Sequence, residues 1–174
     1  FPNLFRLWKT RPPGAAEVTD KTFRPEQATI VADAFARHGV EYLFIGKGGA
    51  ILLGYPGATQ DVDVYPRKSA ENGRRIVAAL EEIGFPLSTT ERDDVVSGKD
   101  FVQISSGPFD IDLVFAPDGI ESYDAAARNS VRVGKFPVMA IADIIASKRA
   151  AGRRRDLAEL DLLEEFRREF ESRR

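Results

Sequence analysis

With 174 residues, the chain is long enough to form one domain with a complete hydrophobic core. Hydrophobic residues make up 43% and charged residues 30% of it, as in ordinary globular proteins, and no apolar run is long enough to cross a membrane. The net charge of −2 argues against a protein that coats nucleic acid through charge alone, and the absence of cysteine excludes disulfides and thiolate metal sites and favours a cytoplasmic location.

The pattern of apolar residues predicts a series of helices and strands after an N-terminal arm at 1–22. Helical spacing predicts helices at 25–38, 50–53, 70–83, 121–129, 140–151 and 154–172. Apolar and β-branched runs predict strands at 41–45, around Asp61 and Asp63, at 101–105 and at 109–115, and a short extended pair at 131–138. The turn "SGP" (106–108) joins the strands on either side of it into a hairpin.

Three of these helices have an apolar face that we expect to point inward. The faces consist of Ile30, Val31, Ala34, Phe35 and His38 in the first, Ile76, Val77, Leu80 and Ile83 in the third, and Leu157, Leu160, Leu163 and Phe166 in the last. Ser69 is expected to cap the start of the third helix, and His38 to pack and cap at the end of the first. The order of elements predicts an α/β (α+β) core at 23–120, with a mostly helical part at 121–174 packed on it as one compact unit.

Two predicted strands each carry a pair of aspartates separated by one residue. Asp61 and Asp63 lie in "GATQDVDVYP" (57–66), and Asp110 and Asp112 lie in "FDIDLVF" (109–115). Because side chains alternate between the two faces of a strand, both members of a pair point the same way. Like charges side by side are unfavourable unless water or a cation neutralises them. The ordinary alternative is that all four line a solvated face, since short Asp-x-Asp motifs often occur by chance.

A glycine-rich turn precedes the first aspartate pair, in "GKGGAILLGYPG" (46–57). Glycines let the backbone approach a phosphate without obstruction by a Cβ atom. Carboxylate oxygens are ligands that Mg²⁺ prefers. Carboxylates that converge beside such a turn indicate metal-assisted phosphoryl transfer.

These features in combination resemble the polymerase-beta-type nucleotidyltransferase superfamily, in which a glycine turn, an Asp-apolar-Asp pair and a third strand carboxylate follow one another. Within it, "YLFIGKGGAILLGYPGATQDVDVYP" (42–66) with "KRAAGRRRDLAELDLL" (148–163) resembles the minimal nucleotidyltransferases related to abortive-infection toxins of bacterial toxin–antitoxin pairs. The resemblance covers about 23–165. It implies a nucleotidyltransferase-like mixed sheet flanked by helices, with a C-terminal helical segment.

The resemblance implies that Asp61, Asp63 and Asp112 form the catalytic and metal-binding set. The first two would hold Mg²⁺, or Mn²⁺ in its place, and Asp112 would help to deprotonate the hydroxyl that attacks the α-phosphate of an NTP. Asp110 competes for the third role, and we prefer Asp112 because it lies deeper in the strand. Thr59 matches the threonine of the family pattern T-x-D-h-D, where h is apolar, and either binds the nucleotide or simply caps the turn.

The segment "SKRAAGRRRD" (147–156) also matches the family. Lys148 corresponds to a family lysine whose mobile ammonium suits a triphosphate. Arg153 and Asp156 match the same segment, and Asp156 would position Lys148 or an arginine. The alternative for these residues is a set of ion pairs at a helix surface that contributes little. The remaining basic residues of the segment are interpreted as a solvated or RNA-facing patch: Arg149, Arg154 and Arg155.

The predicted phosphate turn departs from the family pattern. Aligned without gaps, the paired glycines of the family fall on Gly46 and Lys47, whereas a slip of two residues uses Gly48 and Gly49. The basic residue expected before "AT" falls on Gly57. Lys47 therefore either supplies the positive charge missing at position 57 or is a loop lysine that points to solvent.

The resemblance implies an Mg²⁺-dependent toxin that moves a nucleoside monophosphate from an NTP to RNA, preferably to the tRNA 3′ end, and thereby blocks translation. It also implies a cognate antitoxin protein as partner. A tRNA would use the basic segment 148–155, so its affinity should fall steeply with salt. Transfer to a protein or a small molecule is the alternative within the enzyme class. A catalytically lapsed interaction module with the same fold is the alternative outside it.

Overall fold

The computed structural model of the protein describes residues 24–174, so the predicted arm at 1–22 lies outside the described residues. The helices within this range are α1 (Pro25–Arg37), α2 (Gly46–Leu53), α3 (Ala70–Glu82), α4 (Thr89–Ser97), α5 (Tyr123–Asn129), α6 (Ile141–Ala151) and α7 (Arg154–Ser172). The strands are β1 (Tyr42–Phe44), β2 (Val62–Pro66), β3 (Phe101–Ile104), β4 (Ile111–Val114), β5 (Val131–Val133) and β6 (Phe136–Val138).

The six strands form one mixed sheet in the order β3-β4-β2-β1-β6-β5. The pairs β2–β4 and β1–β6 are parallel, and the other neighbouring strands are antiparallel. This sheet confirms the predicted α/β fold class, and β3 and β4 form the predicted hairpin. The boundary between a core at 23–120 and a C-terminal part at 121–174 stays a prediction. The parallel pairing of β2 with β4 decides the position of the site, because it brings the two aspartate-bearing strands together.

Helices cover the sheet in two packed groups. Helix α3 packs against α1 and α4, whereas α6 packs against α2 and α7. The core draws on strands and helices alike, and its largest fully buried side chains are Phe35, Phe44, Phe85, Ile76, Leu80, Ile104, Ile111, Leu113, Met139, Ile144, Ile145 and Leu163. Within residues 24–174, none of the helices combines the length and the apolar character needed to cross a membrane.

The predicted helix ends are partly confirmed. Ser69 caps α3, since its Oγ accepts a hydrogen bond from the backbone N–H of Asn72 at 3.0 Å. His38 is the C-cap of α1, as expected, and its backbone N–H donates to the carbonyl of Ala34. Gly152 ends α6 in a left-handed conformation, with φ of 64°, and α7 then begins and ends where the periodicity predicts.

Helix α4 has no counterpart among the predicted elements. Its sequence "TTERDDVVS" is mostly polar and buries one residue, Val95, so it gives no apolar stripe. Its start does carry a capping box, because Ser88 Oγ accepts from the N–H of Glu91 and the Glu91 carboxylate accepts from the N–H of Ser88. The spacing Ser-x-x-Glu is therefore the sequence signal that could have predicted the start of this helix.

Two residues predicted to point inward are exposed. Ile30 lies outside the buried face of α1, which includes Ala28 and Ala32 as well as Val31 and Phe35. Leu157 is likewise exposed on α7. Successive residues of a helix point about 100° apart, so an apolar residue next to the buried face is easily assigned to it. The small or polar residues that lie on the true buried faces give no hydrophobic signal to correct the assignment.

The glycine turn predicted before the helix at 50–53 is wrong in its extent. Helix α2 begins at Gly46, so Lys47, Gly48 and Gly49 belong to its first turn. Gly49 donates its N–H to the carbonyl of Ile45 at 2.9 Å. A Cβ on Gly49 would lie 3.1 Å from the carbonyl oxygen of Phe44, which explains glycine there by close packing of α2 on β1.

Candidate active site

Asp63 and Asp112 lie side by side on the central strands β2 and β4. The parallel pairing of these strands aligns Asp63 with Asp112, and the flanking pairs in the same register are buried apolar residues, Val62 with Ile111 and Val64 with Leu113. Neighbouring residues in register point to the same face of a sheet. The arrangement predicted for the two aspartate-bearing strands is therefore present for these two side chains.

Asp112 is buried and Asp63 is partly buried, and negative charges surround both carboxylates. Burial raises the pKa of Asp63 well above its ordinary value, and the charges of Asp112 and Asp61 raise it further. Asp112 is 8% exposed. Burial, followed by the charge of Asp61, raises the pKa of Asp112 to about 6. Asp61, which comes directly before β2, thus lies close enough to act electrostatically on both.

Asp110 also acts on Asp112, but from outside the aligned row. It comes directly before β4, and its backbone carbonyl accepts the N–H of Val62 at 3.2 Å. Its charge adds to the rise in the pKa of Asp112. The register thus brings Asp112, and not Asp110, next to Asp63.

The aspartate pair offers an unsatisfied acceptor. Asp112 Oδ1 is buried and has no hydrogen-bond partner within the described residues. Leaving such an acceptor unpaired is costly, so its presence in a folded protein calls for an explanation. Within residues 24–174, no group of three or more acidic or histidine side chains is arranged to hold a metal ion by itself. Mg²⁺, however, is commonly held by one or two carboxylates together with waters and substrate phosphates, and the pair suits that mode.

Gly46 lies directly against the aspartate pair. Its φ of 64° is in the left-handed region, and a Cβ at this position would lie 2.7 Å from Asp63 Oδ2. Both facts exclude a larger residue without movement of the carboxylate. Of the predicted phosphate-binding glycines, Gly46 borders the carboxylates, whereas Gly48 and Gly49 are buried inside α2.

Lys148 and Asp156 form a buried ion pair beside the aspartates. Lys148 Nζ lies 3.4 Å from Asp156 Oδ1, and the two side chains are 12% and 3% exposed. Arg153 Nε donates to Asp156 Oδ2 at 2.6 Å. Burial raises the pKa of Asp156, but the hydrogen bond from Arg153 and the charge of Lys148 outweigh it, and the pKa is lowered overall. The positive charge of Lys148 also favours the ionised form of Asp63, which indicates that it lies near the pair.

Lys47 does not point into solvent as a loop lysine. It lies in the first turn of α2, and its Nζ donates to Glu159 Oε1 on α7 at 2.7 Å. The two side chains are 26% and 27% exposed. One of the two interpretations of Lys47 is therefore wrong, because a partner on the C-terminal helix holds its ammonium.

Thr59 lies in the irregular segment between α2 and β2, two residues before Asp61, and is half-buried. Its roles as a nucleotide ligand and as a turn cap both stay predictions.

Sequence reasoning missed Gln103, and it placed Glu159 in a possible surface ion pair with Arg155 but missed its contact with Lys47. Gln103 is in register with Asp112 on β3, and its side chain favours the ionised form of that aspartate. The row Asp63, Asp112 and Gln103 therefore crosses three strands. Alternation in the predicted hairpin could have identified Gln103, whereas Glu159 gives a signal only as the acidic residue one helical turn after Asp156.

Comparisons with known proteins support the fold. No protein-family model matches the chain, and no curated protein matches it. A solved structure described as a "putative nucleotidyltransferase" from Thermotoga maritima superposes with a TM-score of 0.51 at 17% sequence identity, covering 84% of this chain and 96% of that chain. The protein therefore has a nucleotidyltransferase-like fold, as the resemblance implied. The abortive-infection type stays a prediction.

Proposed function

We propose that the protein is an Mg²⁺-dependent nucleotidyltransferase that moves a nucleoside monophosphate from an NTP to an RNA hydroxyl. The observation that carries the proposal is the alignment of Asp63 with Asp112 on parallel strands, with one buried oxygen of Asp112 unpaired within the described residues. The nucleotidyltransferase-like fold supports the same reaction class.

Asp63 and Asp112 would hold the metal ion, with Asp61 beside them. When bound, Mg²⁺ would neutralise charge that develops on the transferred phosphate and on the pyrophosphate. The donor set fits this ion, because carboxylate oxygens suit a hard cation and positive charge would relieve their mutual repulsion.

In the proposed step, Asp112 accepts the proton of the attacking RNA hydroxyl. The hydroxyl oxygen then bonds to the α-phosphorus, while the bond from that phosphorus to the bridging oxygen breaks and pyrophosphate leaves. Gly46 lets the Asp63 carboxylate approach the start of α2, because a Cβ at position 46 would lie 2.7 Å from Asp63 Oδ2. Lys148 offsets the charge of the triphosphate from its buried pair with Asp156.

The proposed acceptor is the 3′ end of tRNA. The segment from Lys148 to Arg155 contains five basic residues, of which Lys148 lies near the aspartate pair, and Arg154 and Arg155 are exposed at the start of α7. Exposed cations beside a site are suited to the phosphates of a long acceptor. By extension, the protein is a toxin that blocks translation and is neutralised by a cognate antitoxin, and these two roles follow from the resemblance.

A transfer assay tests the reaction. The protein is incubated with each α-labelled NTP, Mg²⁺ and total tRNA, and the same is done with Asp63→Asn and with Asp93→Asn, which changes an exposed aspartate on α4. We expect labelled RNA from the wild type and from Asp93→Asn, and at least a hundredfold less from Asp63→Asn. The absence of label from all four NTPs would favour the lapsed interaction module.

A second assay identifies the acceptor. Periodate-oxidised tRNA has lost its terminal ribose hydroxyls and should accept no label, whereas a tRNA with an intact end should accept it. Label that appears in protein or in a small molecule instead would overturn the RNA assignment but keep the reaction class. Growth arrest on expression, lost with Asp63→Asn, would support the toxin role.

A further inference from the structure

We infer that Glu159 is a positioning residue that holds Lys47 ready for the triphosphate of the nucleotide, and that glycine at position 57 leaves the room for this lysine. The inference rests on the proposed function, because it assigns roles to residues around the proposed nucleotide site.

The first observation is the ion pair itself. Lys47 Nζ and Glu159 Oε1 are 2.7 Å apart, and about three quarters of each side chain is covered, with 26% and 27% exposed. A pair of this burial is screened less by water and salt than a surface pair. It fixes the direction of a side chain that would otherwise be among the most mobile in the protein.

The second observation is where the lysine starts. Lys47 follows Gly46, the residue whose missing Cβ leaves space at Asp63 Oδ2. Its backbone is therefore adjacent to the carboxylate pair. Helix α7 in turn holds Lys148 through Asp156, one helical turn before Glu159. Two acidic residues on one face of α7 thus restrain two lysines that come from two different helices beside the same site.

The third observation is the path of the lysine side chain. A Cβ placed on Gly57 would lie 3.2 Å from Lys47 Cε and 3.0 Å from Tyr55 Cε1. Tyr55 is buried, and its ring packs edge-on against Phe166 of α7 at 5.7 Å, so it has little freedom to move aside. Gly57 has no positive φ. Glycine is therefore needed at position 57 because a larger residue would crowd the lysine and tyrosine side chains, and not because of its backbone conformation.

The fourth observation separates this pair from a purely structural salt bridge. Glu159 Oε2 is buried and has no hydrogen-bond partner within residues 24–174. A carboxylate retained only for stability would be expected to have both oxygens satisfied. In the described part of the chain, a buried side-chain atom without a partner occurs at three places, and Asp112 Oδ1 and Glu159 Oε2 are two of them. Each such unsatisfied group calls for an explanation, such as a catalytic role or a bound ion.

The test measures nucleotide binding directly, so it does not depend on the acceptor. Calorimetric titration of the full chain uses α,β-methylene analogues of the four NTPs with Mg²⁺, and the tightest is then used throughout. We expect Lys47→Ala and Glu159→Gln each to raise the Kd about tenfold, the value of one charge-assisted contact. If Glu159 acts through Lys47, the double variant should be no worse than Lys47→Ala alone.

Glu164→Gln is the matched control. Glu164 lies on the same helix, is 28% exposed against 27% for Glu159 and pairs with Arg149 at 3.2 Å, so the change removes a carboxylate of matched exposure that does not pair with Lys47. We expect it to leave the Kd for the analogue within twofold. Melting temperatures of both variants separate local positioning from loss of α7 packing.

The room at position 57 gives a second, independent variant. Gly57→Ala should raise the Kd for the analogue about fivefold in the wild type, because it displaces the lysine, and it should have no further effect in the Lys47→Ala background. In the transfer assay, Glu159→Gln should raise the KM for the NTP and leave kcat within about twofold, as for a contact made equally in ground and transition states.

The inference is overturned if Glu159→Gln binds the analogue as tightly as the wild type, or more tightly, since a tighter complex would mean that Glu159 holds Lys47 away from the phosphates. Either result would leave the proposed function intact while the wild type still transfers label. A wild type that binds analogue but transfers nothing would overturn the proposed function and leave the role of Glu159 in binding measurable. A wild type that binds no analogue would overturn both.

Discussion

Asp63 and Asp112 lie side by side on neighbouring strands, and this crowding of two carboxylates has a consequence for stability. Burial and neighbouring negative charge raise the pKa of Asp112 to about 6. Keeping such a group ionised at pH 7 costs free energy in the folded state that the unfolded chain does not incur. In the absence of divalent metal, the site therefore weakens the protein that contains it.

We expect Asp112→Asn to raise the free energy of unfolding of the metal-free protein by about 1 to 3 kcal/mol at pH 7, because a pKa shift of one unit corresponds to about 1.4 kcal/mol. The same variant should lose nucleotidyl transfer. Urea unfolding in EDTA checks the first expectation, with Asp93→Asn as a control that should change stability by less than about 0.5 kcal/mol. A destabilised Asp112→Asn would show that a partner holds the carboxylate.

Replacing Asp156 should change the free energy of unfolding in the opposite direction. Its pKa is lowered because Arg153 and Lys148 outweigh the effect of burial, so its ionised form stabilises the fold above the ordinary pKa of 3.8. That contribution is lost as the pH falls through the lower pKa of the folded state. We expect Asp156→Asn to cost about 1 to 3 kcal/mol at pH 7, and the difference from the wild type to shrink below pH 4 in acid-unfolding curves.

Asp33→Asn is the control for this measurement, because Asp33 forms an exposed pair with Lys135 at 2.9 Å. It should change stability little at any pH. A constant difference between Asp156→Asn and the wild type down to pH 2 would contradict the assigned role of ionisation.

Single residues also show which parts of the site the sequence could reveal. Strand-forming runs are local, so the positions of Asp63 in β2 and of Asp112 in β4 were predictable. A shared face for Asp61 with Asp63 and for Asp110 with Asp112 stays a prediction. The partner of Lys47 was not predictable, because Glu159 lies 112 residues further along the chain. No local sequence pattern predicts that contact, because it forms only when α7 packs on the rest of the fold.

At the scale of elements, helices α3 and α4 meet more closely than side chains normally allow. Gly73 is the fourth residue of α3, and a Cβ there would lie 2.7 Å from Val96 Cα and 2.8 Å from the Val95 carbonyl oxygen. Both atoms belong to the backbone of α4 and cannot move aside as a side chain can. The glycine reduces helix propensity but permits the contact.

We expect Gly73→Ala to destabilise the protein by about 1 to 3 kcal/mol despite the better helix propensity of alanine, because the added methyl group forces α3 and α4 apart. Arg74→Ala, at the exposed neighbouring position, should change stability by less than about 0.5 kcal/mol. Thermal unfolding of the two variants measures both changes in stability. A Gly73→Ala protein that melts at a higher temperature than the wild type would show that the helices separate at no cost.

Elements with strong apolar periodicity were predictable, and those without it were not. The periodicity of α7 sets its bounds correctly, yet Leu157 was assigned to the wrong face because Asp156, a buried charge, marks the true one. Helix α4 was missed because it buries Val95 and little else. The hydrophobic pattern of a sequence indicates which apolar side chains are buried. It does not detect buried polar side chains or helices that are mostly polar.

At the scale of the whole molecule, the slight negative charge conceals an uneven surface. The net charge is −2, but Arg154 and Arg155 are exposed at one end of α7 while Arg149 and Arg153 are engaged by Glu164 and Asp156. A long anionic acceptor would therefore meet a small cationic area rather than a basic face.

We expect tRNA affinity to fall with added salt, and the slope of log K against log salt to decrease in magnitude by about 1 to 2 in the double variant Arg154→Gln with Arg155→Gln. Each arginine that no longer contacts a phosphate releases about one counterion fewer. Filter binding across a salt series measures the slope. An unchanged slope would place the acceptor elsewhere, and binding of the nucleotide analogue serves as the control, since it should not change.

The strand order was beyond reach of local patterns. Strands and a hairpin could be predicted, but the parallel pairing of β2 with β4 depends on a crossover through α3, α4 and β3. Only that pairing sets Asp63 opposite Asp112, and the family resemblance, rather than periodicity, is what implied it.

This dependence on non-local pairing means that the proposed catalytic site exists only once the central strands of the sheet have paired. Neither aspartate strand can assemble the reaction centre alone, and long-range parallel pairing forms slowly compared with helices and hairpins. During refolding, catalytic turnover should return no earlier than the last burial of the central strands, after helical signal has recovered. Under the proposed function, a nascent polypeptide should therefore transfer no nucleotide until synthesis has passed well beyond β4.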